Sequence, residues 1–178
     1  WPQRCGNFGI IDICGFPKDH YYLYQSLWSE KPMVHILPHW THTGKEGVPI
    51  PVVIYTNCEE VELFLNGRSL GKQPYKGDQL VWQVPFEAGE IKAIATNGAT
   101  QGEKSYHTAV NPVAIAMSPD KLSAQANRTD VVHLELDIID EKGTMCPYAD
   151  NEVHFNINGP AKLIGVDNGD PIDLSPYK

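Results

Sequence analysis

The 178-residue chain carries 14 Lys plus Arg against 22 Asp plus Glu, a formal net charge of −8. That balance disfavours nucleic acid, whose phosphates demand a basic face, and no apolar run approaches the ~18–20 residues of a membrane span. The four cysteines, Cys5, Cys14, Cys58 and Cys146, lack both C-x-x-C spacing and the density of a disulfide scaffold. Cys14 and Cys58 sit among apolar residues and read as small buried hydrophobes; one disulfide stays open.

The first element lies between Gly9 and Trp28. Ile10, Ile11 and Ile13 form a short apolar stretch that runs into Gly15-Phe16-Pro17, and a helix follows. Pro17 suits a first helical turn, where its missing N–H has no partner to lose, and Asp19 favours the positive N-terminal end. Tyr21, Tyr24, Leu27 and Trp28 then recur at i, i+3, i+6 and i+7, giving one aromatic-apolar stripe. A single helix cannot bury such a face alone. The pattern predicts a packing partner upstream.

Phe8-Gly-Ile-Ile-Asp12, Cys14-Gly-Phe-Pro-Lys-Asp19 and Tyr21-Tyr-Leu-Tyr24 resemble the last βα unit of the catalytic barrel in glycoside hydrolase family 2, which includes β-galactosidases, β-mannosidases and β-glucuronidases. The resemblance is to β-galactosidase-like members from gut Bacteroidetes. It implies that residues 1–30 are a remnant of a (β/α)8 barrel, comprising its last loop and helix. It also implies a periplasmic or extracellular location.

From Ser29 the texture changes to short β-rich runs punctuated by Gly, Pro, Asn and Asp, the pattern of a β-sandwich. Met33 to Leu37 is a first strand, stopped by Pro38. Thr41 to Pro51 reads as a loop, and Pro51 to Thr56 as a continuous β-branched strand of the buried kind. In Glu60 to Leu65, Val61, Leu63 and Leu65 point one way, with Glu62 and Phe64 opposite. Asn66-Gly67 is a strong hairpin signal, because both central residues of a type I′ turn need positive φ. Arg68 to Lys72, Leu80 to Phe86, Glu90 to Thr96 and Glu103 to Ala109 complete seven strands. Residues 31–110 are therefore expected to form an immunoglobulin-like sandwich.

Asn111-Pro112 marks a boundary. Beyond it, four strands are expected, at Val113 to Met117, Val131 to Ile139, Val153 to Ile157 and Ala161 to Val166, with Asp140-Glu-Lys-Gly143 a polar turn. A sandwich needs about seven strands, so residues 111–178 read as a second β-sandwich domain that is truncated. The predicted fold is mainly β: tandem sandwiches preceded by the end of a TIM barrel. Val53-Ile-Tyr-Thr-Asn57, Val61-Glu-Leu-Phe-Leu-Asn-Gly67 and Ser69-Leu-Gly71 resemble the immunoglobulin-like domain that follows the barrel in these enzymes. Cys146-Pro147, Ala149-Asp-Asn151, Val153-x-Phe155 and Gly165-Val-Asp-Asn-Gly-Asp-Pro171 resemble the next accessory domain.

Candidate chemistry is sparse. Retaining glycosidases use two carboxyl groups ~5–5.5 Å apart, and the resemblance assigns both glutamates to earlier barrel strands. The Asn151-Glu152 pair falls at the start of a predicted sandwich strand and is rejected as the acid/base. Glu59-Glu60 reads as solvated surface. No catalytic residue is nominated, and no cofactor is expected. The resemblance places Trp1 to Phe8 at the C-terminal face of the barrel, where such active sites form. Trp1, Arg4 and Asn7 are candidates to line the sugar pocket, against the plainer reading that they tie the loop down. Glucuronidases of the family carry an Asn-x-Lys motif just before the position of Gly9. Here Gly6 and Phe8 stand in its place, which favours a neutral sugar such as galactose.

His35, His39 and His42 have a suggestive spacing, but no Cys or carboxylate completes a metal set, so none is assigned. Asp167-Asn-Gly-Asp170 lacks the closing Glu of a calcium loop and reads as a turn. Asn127-Arg-Thr129 marks a surface loop. Two functions are weighed: a non-catalytic C-terminal portion of a β-galactoside-cleaving enzyme, with the rest of the barrel and a β-galactoside as partners, or a carbohydrate-binding or adhesive sandwich module. Trp40, Trp82 and Tyr75 are the aromatics that such a module would need to expose, but Trp82 belongs to an alternating core face and Tyr75 to a loop.

Overall fold

The computed structural model describes residues 6–176. Among these residues one helix, α1 (Asp19–Trp28), precedes nine strands: β1 (Val34–Leu37), β2 (Pro49–Thr56), β3 (Glu60–Leu65), β4 (Arg68–Pro74), β5 (Leu80–Pro85), β6 (Glu90–Asn97), β7 (Thr100–His107), β8 (Ala114–Pro119) and β9 (Leu134–Ile139). The molecule is mainly β. All the paired strands are antiparallel.

Strands β1 to β7 form two sheets, ordered β1-β2-β5 and β4-β3-β6-β7. Their facing sides make one core. Ile36, Val52, Ile54 and Val84 come from the first sheet, and Val61, Leu63, Leu65, Ile91 and Ala93 from the second. The alternation read in β3 is realised, with Val61, Leu63 and Leu65 buried and Glu62 and Phe64 only partly covered. Each fully buried Leu or Ile contributes about 1.5–3 kcal/mol relative to exposure. The Asn66-Gly67 hairpin is also present, with φ of 50° and 76°, as a type I′ turn requires. Strand β2 begins at Pro49, two residues inside the expected loop, because Pro49 to Val53 pair with Pro85 to Val81 of β5.

Trp40 is fully buried: its indole Nε1–H donates to the Glu87 carbonyl at 3.0 Å and its ring packs edge-on against Phe86. Trp82 is buried in the core and Tyr75 is partly covered. These aromatics do not form an exposed row.

Helix α1 starts later than its sequence suggests. Pro17 is not in the first turn; it bridges Ile11, and the Lys18 N–H donates to the Ile10 carbonyl at 2.9 Å. Those bonds hold the backbone extended, so the helix begins only after its N-cap, Lys18. The helix rests on the outer face of the first sheet through Tyr22 and Ser26. Tyr22 stacks on His35, their ring centroids 3.8 Å apart, and Ser26 is buried. Tyr24, Leu27 and Trp28 remain exposed, Trp28 to 77%.

The second β unit is smaller than expected. Strands β8 and β9 pair with each other, but Val153 to Ile157 and Ala161 to Val166 form no strand. Their alternating sequence finds no ladder partner among the described residues, and a β-strand without one leaves its backbone groups to solvent. The apolar residues of this unit, including Ile115, Met117, Leu134, Phe155 and Ile164, are exposed.

Candidate functional site

Of the three sequence candidates for a sugar pocket, Trp1 and Arg4 lie outside the described residues. Asn7 is in an exposed turn, next to a fully exposed Phe8. Just downstream, Asp12 organises a tight loop. Its Oδ1 accepts the N–H groups of Cys14 at 2.9 Å and Phe16 at 2.8 Å, and its own N–H donates to the Phe16 carbonyl at 3.0 Å. Gly15, with φ 95°, closes the turn. The stretch 10–18 is thus a self-bonded unit continuous with residues 6–9.

Cys14 is half-buried, less hidden than its apolar neighbours suggested, whereas Cys58 is buried as expected. Burial and the nearby carboxylates of Asp167 and Asp12 push the Cys14 thiol up, while contact with the Gly169 backbone opposes them. Cys14, Cys58 and Cys146 are all free thiols.

The three histidines divide between two places. His35 is held by Tyr22 and by Asp19, whose Oδ1 lies 3.0 Å from His35 Nε2. His39 and His42 stack on each other with centroids 5.0 Å apart, and His42 meets Trp40 and Phe86 edge-on. Burial lowers both imidazoles, with further lowering from His42 on His39 and from Lys45 on His42. Both His42 ring nitrogens are buried with no partner in hydrogen-bonding geometry among the described residues, and the His39 backbone opposes the shift only in part.

Where the two β units meet, Asp140 is buried and accepts the N–H groups of Val110 at 3.1 Å, Lys142 at 2.9 Å and Thr144 at 2.8 Å. Beside it runs an open cleft of about 670 Å³, with Thr41, Glu46, Phe86, Tyr148, Asp150 and Asn151 among its walls. Tyr148 is exposed and stands edge-on to His39. Sequence reasoning took Asp140 for part of a polar turn and missed its role at the junction. An Asp closing an alternating strand, with Gly143 three residues on, signals the turn, but no local signal reaches Val110.

The carboxylates weighed as catalytic face solvent. Glu152 and its neighbour His154 are both highly exposed, with a 3.7 Å ion-pair distance. Glu60 is tied to Lys72 at 2.9 Å across β3 and β4.

Comparison with known proteins places this architecture. Residues 47–106 match a domain of unknown function, DUF4982, and residues 115–178 match the glycoside hydrolase family 2 C-terminal domain 5. The chain belongs to glycoside hydrolase family 2, aligning along its whole length with C-terminal parts of family members. It is 41% identical over 181 residues to the β-galactosidase BoGH2A of Bacteroides ovatus, covering 100% of this chain and 21% of that protein. It is 44% identical over 171 residues to a putative β-glucuronidase of Formosa agariphila, covering 93% of this chain and 16% of that protein. The crystal structure of a β-glycosidase from Bacteroides vulgatus superimposes with a TM-score of 0.96 at 55% identity, over 99% of this chain and 23% of that one. The chain therefore spans about a fifth of these relatives' length.

Proposed function

We propose that this chain is the C-terminal accessory portion of a larger β-glycosidase that hydrolyses β-galactosides with retention of configuration. The observation that carries this reading is the exposed face of α1. The helix already rests on the sandwich through Tyr22 and Ser26, yet Tyr24, Leu27 and Trp28 stay uncovered, as suits a helix with a second partner in the barrel shell. The two carboxyl groups of a retaining mechanism then belong to the barrel upstream, and the sandwiches buttress it. On this reading the second β unit is a truncated sandwich.

Relatives bear both β-galactosidase and β-glucuronidase names, so the choice of sugar rests on Gly6 and Phe8. A uronate needs a cation, and the positions where family glucuronidases carry Asn and Lys supply none.

The test compares the full-length parent protein with the 178-residue chain on nitrophenyl β-galactoside and β-glucuronide. The parent should cleave the galactoside, giving the β-anomer first by NMR, and the chain alone should cleave neither. Turnover by the isolated chain would overturn the accessory reading; faster cleavage of the glucuronide by the parent would overturn the assignment of sugar.

The cleft beside Asp140 favours a second reading, a carbohydrate-binding module. An exposed Tyr148 next to Asp150, Asn151 and Glu46 combines a stacking face with hydroxyl-binding groups. Clear retardation of the chain by galactan in affinity electrophoresis, lost in Tyr148→Ala, would favour it.

A further inference from the structure

We infer that the second β unit is a positioning element for the sugar-binding loop: the stretch 167–170 holds the Asp12 turn, and through it residues 6–9, in place. This deepens the function proposed above, under which residues 6–9 lie at the mouth of the barrel.

The contact is close. Gly169 has φ +73°, and a Cβ built on it would stand 2.5 Å from Asp12 Oδ2 and 3.2 Å from its Cγ. The Gly169 backbone thus lies flush against the carboxylate, where any L side chain would be both strained and obstructed. Cys14, two residues along, has the Asp167 carboxylate and the Gly169 backbone at its thiol. Asp12 and Asp167 are both carboxylates, so Coulomb attraction does not draw the two pieces together; the fit of the Gly169 backbone against Asp12 does.

Both surfaces are built to hold their form. On one side, Asp12 fastens Cys14 and Phe16, and Ile10 accepts from Lys18. On the other, Asn168 Oδ1 accepts the Asp170 N–H at 2.9 Å, and Asn168 Nδ2 donates to Asp173 at 2.8 Å. The Asp170 carboxylate accepts the Ile172 N–H at 3.0 Å. Each turn is internally bonded, so a displacement of 167–170 against Asp12 moves the 10–18 turn as a unit. A shift of about 1 Å in a substrate-positioning group can cost on the order of a hundredfold in rate.

The experiment uses the full-length parent protein with Gly169→Ala and Asp167→Asn. It has two readouts: backbone hydrogen exchange across residues 10–18, and kcat and KM on a panel of aryl β-glycosides. Gly169→Ala should speed exchange at Cys14 and Phe16 while leaving β3 and β6 protected, and should lower kcat/KM about tenfold. Asp167→Asn keeps an acceptor for the thiol and should stay within about twofold of wild type. Unchanged exchange at 10–18, or faster exchange with kcat and KM both unchanged, would overturn the inference. If the wild type cleaves another glycoside but no galactoside, only the sugar assignment falls and the variants are judged on that glycoside. A wild type that cleaves none of the panel overturns both.

Discussion

His35 Nε2 lies 3.0 Å from Asp19 Oδ1, joining the first turn of α1 to a buried position on β1. The His35 hydrogen bond holds the Asp19 carboxyl below its ordinary value of 3.8, partly offset by burial and reinforced by the charges of His35 and His20. A depressed carboxyl stabilises the folded state above its unfolded pKa, and that contribution is lost as pH falls through the lower, folded value. The docking of α1 should therefore weaken below about pH 4. Trp28 fluorescence, followed from pH 6 to 2, should report an acid step that Asp19→Asn removes. A step of the same size in the variant would mean that another group controls the joint.

Asn57 fastens the segment between α1 and β1 to the end of β2. Its Nδ2 donates to the carbonyls of Ser29 and Lys31, both at 2.8 Å, and its Oδ1 accepts the Met33 N–H at 2.9 Å. Asn57→Ala leaves these groups without their partner and should cost about 1–3 kcal/mol. Urea unfolding monitored by circular dichroism measures this. A change within experimental error would show that water replaces the amide at no cost.

Leu63 is fully buried at the centre of β3. Leu63→Ala removes its methyl groups and leaves a cavity between the sheets, for an expected loss of about 2–5 kcal/mol. Glu62→Ala, on the opposite face, should cost far less, since it gives up ion pairing with an exposed Lys72 and a hydrogen bond from Ser69. Equal losses from the two would contradict the assignment of faces.

At the junction of the β units, Asp140→Ala should raise hydrogen exchange at Val110, Lys142 and Thr144 and lower the melting temperature. Those three N–H groups lose a charged acceptor. The exchange of β3 should be unchanged. Protection persisting at Val110 would mean that the junction is held by other contacts, such as Cys146 Sγ to the Val110 carbonyl at 3.6 Å.

The first sandwich was legible because its signals are local. Alternation in Val61, Leu63 and Leu65 and the positive φ demanded at Asn66-Gly67 act within a few residues. Pro17 misled because its missing N–H and fixed φ suit a first helical turn and an extended residue alike. The bonds from Ile11 and Lys18 that keep it extended involve residues across a turn. Val153 to Ile157 misled for a different reason: alternation reports a face, and a strand also needs a neighbour to pair with. The meeting of Asp12 with Gly169, and the reach of Asp140 to Val110, join residues remote in sequence. No spacing in one chain encodes them. The resemblance of the Gly9–Trp28 run to the end of a glycosidase barrel carried the family, whereas the proposed choice of sugar rests on residues 6–8 alone.

Because Gly169 rests on Asp12, two segments far apart in sequence are held together. Bringing such distant segments together has an entropic cost that no local bond offsets until both partners are already shaped. This closure should be the last step of assembly and the first to come undone on warming, with the β3–β6 ladder outliving it.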